Sequence, residues 1–251
     1  MIEFSVILPA KDEADNIGVL LTEIDRALAG HRYEVVLVDD GSTDHTEEQA
    51  LTIANTMQGS VTVIQHESSC GQSTALYTAA QYARGDFIVV LDADGQNDPA
   101  DIPLLKQVAN ELHSHHFCVI GHRQQRKDTA WKRFQSRVAN RFRQAVLKDD
   151  TPDTGCGLKI LPRHTYLQLP YFHHMHRFVP ALVKRMGGNV KSVPVNHRAR
   201  LQGVSKYNAW NRAWAGLLDI MGVLWLIYRS RQPQIKSIKR SQAPQLDATR
   251  D

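Results

Sequence analysis

The stretch Phe87-Ile88-Val89-Val90-Leu91-Asp92-Ala93-Asp94-Gly95-Gln96 decides how this chain is read. Its first five residues are apolar, mostly β-branched or aromatic, with the length and composition of a buried strand. Two carboxylates one residue apart stand at the end of that strand. They repel each other, and a hard divalent cation removes the repulsion. Mg²⁺ commonly takes one or two carboxylates together with substrate phosphate oxygens. Open α/β sheets bind their ligands at the carboxyl ends of the strands, so the position suits a ligand. Asp-x-Asp alone is common and also reads as a polar strand-end turn, so its weight depends on its surroundings.

Outward from this stretch the pattern repeats. Residues 4–9 read as a strand, and 12–29 as a helix through Ile17, Leu20, Leu21, Ile24 and Leu28. Residues 33–38 form a second strand ending in Asp39-Asp40-Gly41-Ser42. Ser42-Thr43-Asp44 offers cap chemistry for a helix running to about residue 56. A short strand is expected at 61–65 and a helix at 71–83. Asp98-Pro99 opens a further helix, followed by a strand at 117–121. Residues 131–147 read as a basic helix, 153–163 as a turn and short strand, 166–187 as largely helical, and 190–197 as a strand. Strands alternating with helices at this spacing imply an α/β fold with a mostly parallel sheet and helices on both faces.

With 251 residues the chain can bury one substantial core and still carry an appendage. A formal charge of +4 hides an asymmetry. Residues 1–120 hold 5 Lys/Arg against 19 Asp/Glu, and the remainder 25 against 7. An acidic half suits metal or nucleotide-sugar binding; a basic half suits phosphates, anionic lipid or nucleic acid. The three cysteines, Cys70, Cys118 and Cys156, have neither zinc nor disulfide spacing, which points to a reducing compartment. Met1-Ile2-Glu3-Phe4 leads directly into a strand and does not read as a signal peptide. The apolar run Trp214–Tyr228, broken by Asp219, has cations on both sides and is short for a bilayer span of about 20 residues. It reads as a membrane-interface helix or as a helix packed on the core. The expected organisation is a catalytic domain at 1–208, an apolar interfacial helix at 209–230, and a polar, disordered tail at 231–251.

Four segments in order carry a resemblance: Val6-Ile7-Leu8-Pro9-Ala10-Lys11-Asp12-Glu13, Val38-Asp39-Asp40-Gly41-Ser42-Thr43-Asp44, Asp92-Ala93-Asp94-Gly95-Gln96 and Gln202-Gly203-Val204-Ser205-Lys206-Tyr207. Together they resemble the family-2 glycosyltransferases, and within them the polyprenyl-phosphate enzymes similar to dolichol-phosphate mannose synthase. The resemblance spans roughly residues 3–208. It implies a GT-A, Rossmann-like nucleotide-sugar-binding fold, a UDP- or GDP-sugar donor, Mg²⁺ or Mn²⁺, and inversion at the anomeric carbon.

The same resemblance assigns residues. Pro9, Ala10 and Glu13 end the first strand where relatives hold the base and ribose. Asp39 and Asp40 can accept from the N3–H of uracil or the N1–H and amino group of guanine; the competing role is capping. Gly71 stands at a turn against the nucleotide, where Gln72 replaces a family lysine. Asp94 binds the metal and Asp92, beside Ala93, binds ribose or metal, while the Gln96 carbonyl suits a hard metal or its water. The metal stabilises the departing nucleoside diphosphate. Arg200, Ser205 and Lys206 form a loop able to close over the diphosphate, with Arg123 a second cation.

For the acceptor, Trp131, Phe134, Val138, Phe142 and Val146 give the 131–147 helix one apolar face. Lys132, Arg133, Arg137, Arg141 and Arg143 occupy much of the rest. Such a helix suits a headgroup region, with Arg133, Ser136 and Arg137 on the acceptor phosphate. A phosphomonoester is largely dianionic near neutral pH and attacks without a strong base. A hydroxyl acceptor would need one, and Asp153 is the candidate. His173-His174-Met175-His176 lacks the ligand pattern of a zinc site, and Cys156 lacks a recognisable base.

The expected activity is transfer of a sugar to undecaprenyl phosphate at the cytoplasmic face of the plasma membrane. The protein would sit peripherally on anionic lipid, with a homo-oligomer left open. A saccharide or glycerolipid hydroxyl is the alternative acceptor. A basic nucleic-acid-binding protein would leave the acidic clusters unexplained and has no recognisable nucleic-acid motif.

Overall fold

The computed structural model describes residues 1–123, 143–149, 151–198 and 209–229. Chain order is β1 (Phe4–Ala10), α1 (Ala14–Ala27), β2 (Tyr33–Asp39), α2 (Thr46–Ala54), β3 (Ser60–Gln65), α3 (Gln72–Tyr82), β4 (Phe87–Val90), α4 (Ile102–Asn110) and β5 (Phe117–Arg123). Then come the described part of α5 (143–147), β6 (Lys159–Pro162), α6 (Arg163–Leu167), α7 (Val179–Arg185), β7 (Asn189–Val195) and α8 (Ala209–Arg229). The strands form one seven-stranded sheet in the order β3-β2-β1-β4-β6-β5-β7.

β1 lies between β2 and β4 and runs parallel to both, with Ala10 opposite Asp39 and Ile7 opposite Val90. The chain leaves β1 toward β2 and β3, then returns across β1 to β4. That reversal opens a crevice at the strands' carboxyl ends. The central strands are apolar because both faces are covered: Val6, Ile7, Leu8, Val35, Val36, Leu37, Ile88 and Val89 are all buried. Helix α1 joins the core through Ile17, Leu20, Leu21 and Ile24, at the three- and four-residue steps visible in its sequence.

Among the described strands, β6 is the one that runs against its neighbours. It pairs antiparallel with both β4 and β5, Val90 lying opposite Lys159 and Ile120 also opposite Lys159. Its direction matters for function. The turn that precedes it, residues 153–157, is delivered to the same sheet edge as Asp92.

Two expectations need correction. Residues 166–187 are not largely helical. α6 ends at Leu167, Pro170 follows, and a single 3-10 turn at Met175–Arg177 separates it from α7. The histidines of that stretch therefore do not share a helix, and His174 sits at φ 69°. Arg143 is not part of a solvent-facing cationic surface either. It is buried, donating to Asp149 Oδ2 at 3.1 Å, to the Thr151 carbonyl at 2.5 Å and to the Thr154 hydroxyl. Its chemistry holds the turn ahead of β6.

Helix α8 has two faces. Val223 is fully buried, and Ile220, Leu224 and Ile227 pack against the core. Leu218, Met221, Trp225 and Tyr228 are exposed. Asp219, which interrupts the apolar run, receives His174 Nδ1 at 3.0 Å and so ties the helix to the body. Among the described residues no helix is long and apolar enough to cross a membrane.

Candidate active site

Three strand ends meet at the crevice: Pro9-Ala10 of β1, Asp39-Asp40 of β2, and Asp92-Ala93-Asp94 after β4. The first two are locked together by Asp40 N–H donating to the Ala10 carbonyl at 2.8 Å. Of the expected caps of α2, Asp44 Oδ1 accepts from Thr46 N at 3.1 Å, and the same loop also serves α1. Ser42 Oγ accepts from Asp12 N, Thr46 Oγ1 from Glu13 N, and Asp44 Oδ2 from Ala14 N. The loop after β2 thus satisfies orphan amides at the start of α1. Glu13 turns its own carboxylate to Asn16 Nδ2 at 2.6 Å.

Asp40 is enclosed by donors. Its two oxygens accept from His66 Nδ1, Ser69 Oγ, Cys70 N and Gly71 N, each at 2.8 Å. Burial alone would raise its pKa. The Cys70 amide, His66, Ser69 and the Gly71 amide outweigh burial and hold the carboxyl below its usual range. In the structure the Asp40 side chain holds the 66–71 loop over the end of β2. Asp39 is also buried, and its Oδ1 accepts from Ser42 N at 2.8 Å.

The β4 end is built differently. Asp92 Oδ1 accepts from Gln72 Nε2 at 2.7 Å, while Oδ2 lies 3.5 Å from Asn97 Nδ2. Asp94 is buried, and its Oδ1 accepts from Gln96 N at 3.1 Å. Burial first, and then the charge of Asp94, push the Asp92 carboxyl above its usual range; Lys159, Asn97 and Arg123 oppose the shift. A Cβ at Gly157 would run into the Asp92 carboxylate, so the absence of a side chain there makes room for it. Gln72 thus works as a donor to Asp92.

The turn before β6 supplies a cation–carboxylate pair. Arg123 Nε donates to Asp153 Oδ2 at 2.6 Å and Nη2 to Oδ1 at 2.8 Å, with both side chains largely buried. The two residues singled out separately in the sequence form one bidentate unit. An Asp held this way is a poor general base, because the guanidinium stabilises its charged form. Cys156 is buried, and its thiol pKa is raised first by that burial.

A loop at 171–176 closes the far side. Ser73 Oγ meets His176 Nδ1 at 2.8 Å, and Thr74 Oγ1 meets Tyr171 OH at 2.8 Å. Gly71, at φ 90°, lets the His173 ring approach. The near side is closed by the segment after β7. Arg198 N donates to the Gln96 carbonyl at 2.9 Å, and Asn196 N to Asp101 Oδ2 at 2.8 Å. Arg200, Ser205 and Lys206 follow this segment but lie outside the described residues, as do Arg133, Ser136 and Arg137.

Sequence reading missed Lys159. It is buried in β6 and acts electrostatically on Asp92, Cys118 and Cys156. The available signal was a lysine inside the apolar run Leu158-Lys159-Ile160-Leu161. Asn97 and Gly157 were also missed, since neither has a distinctive local pattern.

A family profile described as glycosyl transferase family 2 matches residues 5–167. The chain is 32% identical over 237 residues to a dodecaprenyl-phosphate galacturonate synthase of Rhizobium johnstonii, covering 92% of this chain and 69% of the relative. It is 32% identical over 207 residues to an undecaprenyl-phosphate 4-deoxy-4-formamido-L-arabinose transferase of Klebsiella pneumoniae, covering 81% of this chain and 62% of the relative. The chain thus spans between three fifths and seven tenths of these relatives' length. Glucosyl-3-phosphoglycerate synthase from Mycobacterium tuberculosis, in complex with UDP, superposes with a TM-score of 0.65 at 18% identity, covering 90% of this chain and 80% of that one. Another crystal of that enzyme, holding Mn²⁺, UDP-glucose and glycerol 3-phosphate, gives 0.63 at 19%, with the same coverage. At such identity the likeness shows the fold alone, which is the GT-A fold the sequence led us to expect.

Proposed function

The chain belongs to glycosyl transferase family 2, and from that premise we propose that it moves a sugar from a UDP- or GDP-sugar to a polyprenyl phosphate, with inversion at the anomeric carbon. The observation that carries the reading is the Asp92–Asp94 pair at the carboxyl end of β4, next to the reversal in strand order. The Asp92 carboxyl, pushed up first by burial and then by the charge of Asp94, belongs to a pair that a divalent cation would relieve. Asp92 and Asp94 would hold Mg²⁺ or Mn²⁺, with Gln96 beside them. When bound, the ion would neutralise charge on the departing nucleoside diphosphate.

The protein's own groups divide the remaining work. Asp39 is the better placed of the β2 acids to accept from a base, since Asp40 is taken up by the 66–71 loop. Pro9, Ala10 and Glu13 line the same rim. Gln72 positions Asp92. The Arg123–Asp153 unit fits positioning of an anionic acceptor more than proton abstraction. A phosphate acceptor needs no strong base, and Asp153, the candidate base, is paired with Arg123. The acceptors in the names of the two relatives are polyprenyl phosphates, which favours the same class here.

Residues 1–208 would form the catalytic unit. Helix α8 would lie along the cytoplasmic face of the membrane, presenting Leu218, Met221, Trp225 and Tyr228 to the interface. The test is incubation with a panel of UDP- and GDP-sugars, undecaprenyl phosphate and Mg²⁺. Formation of a polyprenyl phosphosugar supports the proposal. Transfer to diacylglycerol or a free saccharide, with undecaprenyl phosphate ignored, overturns it.

A further inference from the structure

At the opposite end of the sheet, three histidines converge. His115 and His116 immediately precede β5, and His164 lies in the first turn of α6. One ring nitrogen from each lies within 4.8 Å of the others. The His115 and His164 rings stack at 4.3 Å, and the His115 and His116 rings meet edge-on at 4.7 Å. β5 carries the chain about 20 Å, at roughly 3.3 Å per residue, from this cluster to Arg123 at the crevice. The cluster is therefore separate from the donor site.

Three imidazoles packed together need a reason. Protonation would place like charges side by side, and apolar packing alone does not call for three ring nitrogens. Their hydrogen bonds supply a clue. His116 Nδ1 lies 3.1 Å from Thr165 Oγ1, and His164 Nε2 lies 2.9 Å from the His115 carbonyl oxygen. A backbone carbonyl only accepts, so His164 Nε2 carries the proton and Nδ1 keeps a lone pair. When His116 Nδ1 donates to Thr165 Oγ1, its Nε2 is likewise left as an acceptor. A ring whose second nitrogen is fixed by a protein oxygen is the usual state of a metal-bound histidine.

We propose that His115, His116 and His164 form a second metal site, selective for an imidazole-preferring ion such as Zn²⁺, whose fourth ligand is water. Three histidines and water match a tetrahedral zinc set with bonds of about 2.0–2.1 Å. The ring nitrogens must draw together to about 3.4 Å to reach that geometry, and the rings of His115 and His164 are exposed and able to turn. The ion would cross-link the lead-in to β5 with α6. Set at the end of the sheet away from the crevice, the ion would act on stability.

Oxygen-rich and imidazole sites separate by ligand preference, which makes the site testable. The full chain, treated with chelator and held in excess Mg²⁺, is titrated with Co²⁺ and then with Zn²⁺. The expected result is one equivalent of tetrahedral Co²⁺ absorption, displaced by Zn²⁺, together with a Zn²⁺-dependent rise in melting temperature. His115→Ala and His164→Ala replace exposed side chains. Each should weaken binding by at least about tenfold and abolish the thermal shift. An Asp94→Ala chain should retain the Co²⁺ spectrum. Absence of tetrahedral binding, or binding unaffected by both histidine substitutions, overturns the proposal. Loss of the spectrum in Asp94→Ala with retention in the histidine variants overturns it as well, because the ion would then belong to the donor site. Failure to transfer sugar bears only on the function proposed above.

Discussion

Two strand ends in this molecule carry near-identical chemistry in the sequence: Asp39-Asp40 after β2, and Asp92-Ala93-Asp94 after β4. The fold treats them in opposite ways. Asp40 receives four donors and its pKa falls below the ordinary carboxylate range. Asp92 receives Gln72 as a donor, and burial first, then the charge of Asp94, raises its pKa. A carboxylate saturated with hydrogen bonds is a fastener. One with fewer donors, set beside another acid, is the candidate cation site. Paired acids at a strand end therefore identify a ligand site only when the number of donors around them is known.

The largest effect expected from this contrast is on turnover. Asp94→Ala should lower sugar transfer by about 100-fold or more, the scale of losing a main source of charge stabilisation, while the melting temperature holds steady. Full activity in excess chelator would remove the reason for treating the β4 end as a cation site.

Asp40→Ala should show the reverse profile. It leaves the Cys70 and Gly71 amides, His66 and Ser69 without their acceptor, so unfolding in urea should reveal a loss of about 2–4 kcal/mol. Unchanged stability with abolished nucleoside-diphosphate binding would return Asp40 to base recognition and break the comparison.

Acid titration sharpens the contrast. The Asp40 pKa is depressed by folding, so its stabilisation is present above the unfolded value and lost as pH falls through the folded one. The slope of stability against pH on the acid limb should be shallower in Asp40→Ala than in the parent. Asp92 is raised, so its contribution is present below the unfolded value and lost as pH rises through the folded one. In the absence of metal, Asp92→Asn should raise stability at neutral pH by about 0.5–2 kcal/mol, and transfer should fall. A destabilised Asp92→Asn protein would mean that the Gln72 and Asn97 contacts outweigh the repulsion from Asp94.

Much of the fold was legible because its signals are local. The apolar runs at 4–10, 33–39 and 87–90 and the helical steps of α1 appear where expected, within a residue or two. The break between α6 and α7 was missed although Pro170 stood in plain view, because apolar residues on both sides kept up a helical count. The two-faced character of α8 was foreshadowed by Asp219, but its partner His174 could not be named from the sequence.

The sequence by itself determined the alternation of strands and helices, the acids at the strand ends and the family resemblance. All three depend on residues adjacent in the chain. The tertiary structure alone decided which acid is a fastener and which is exposed to repulsion, since the partners of Asp40 are 26 to 31 residues away. It likewise paired Arg123 with Asp153, 30 residues apart, and Ser73 with His176, 103 apart. The reversed direction of β6 brought Gly157 and Lys159 to Asp92. Electrostatics within a few ångströms sets what a carboxylate does, and a linear pattern carries no record of which distant donors the fold will place there.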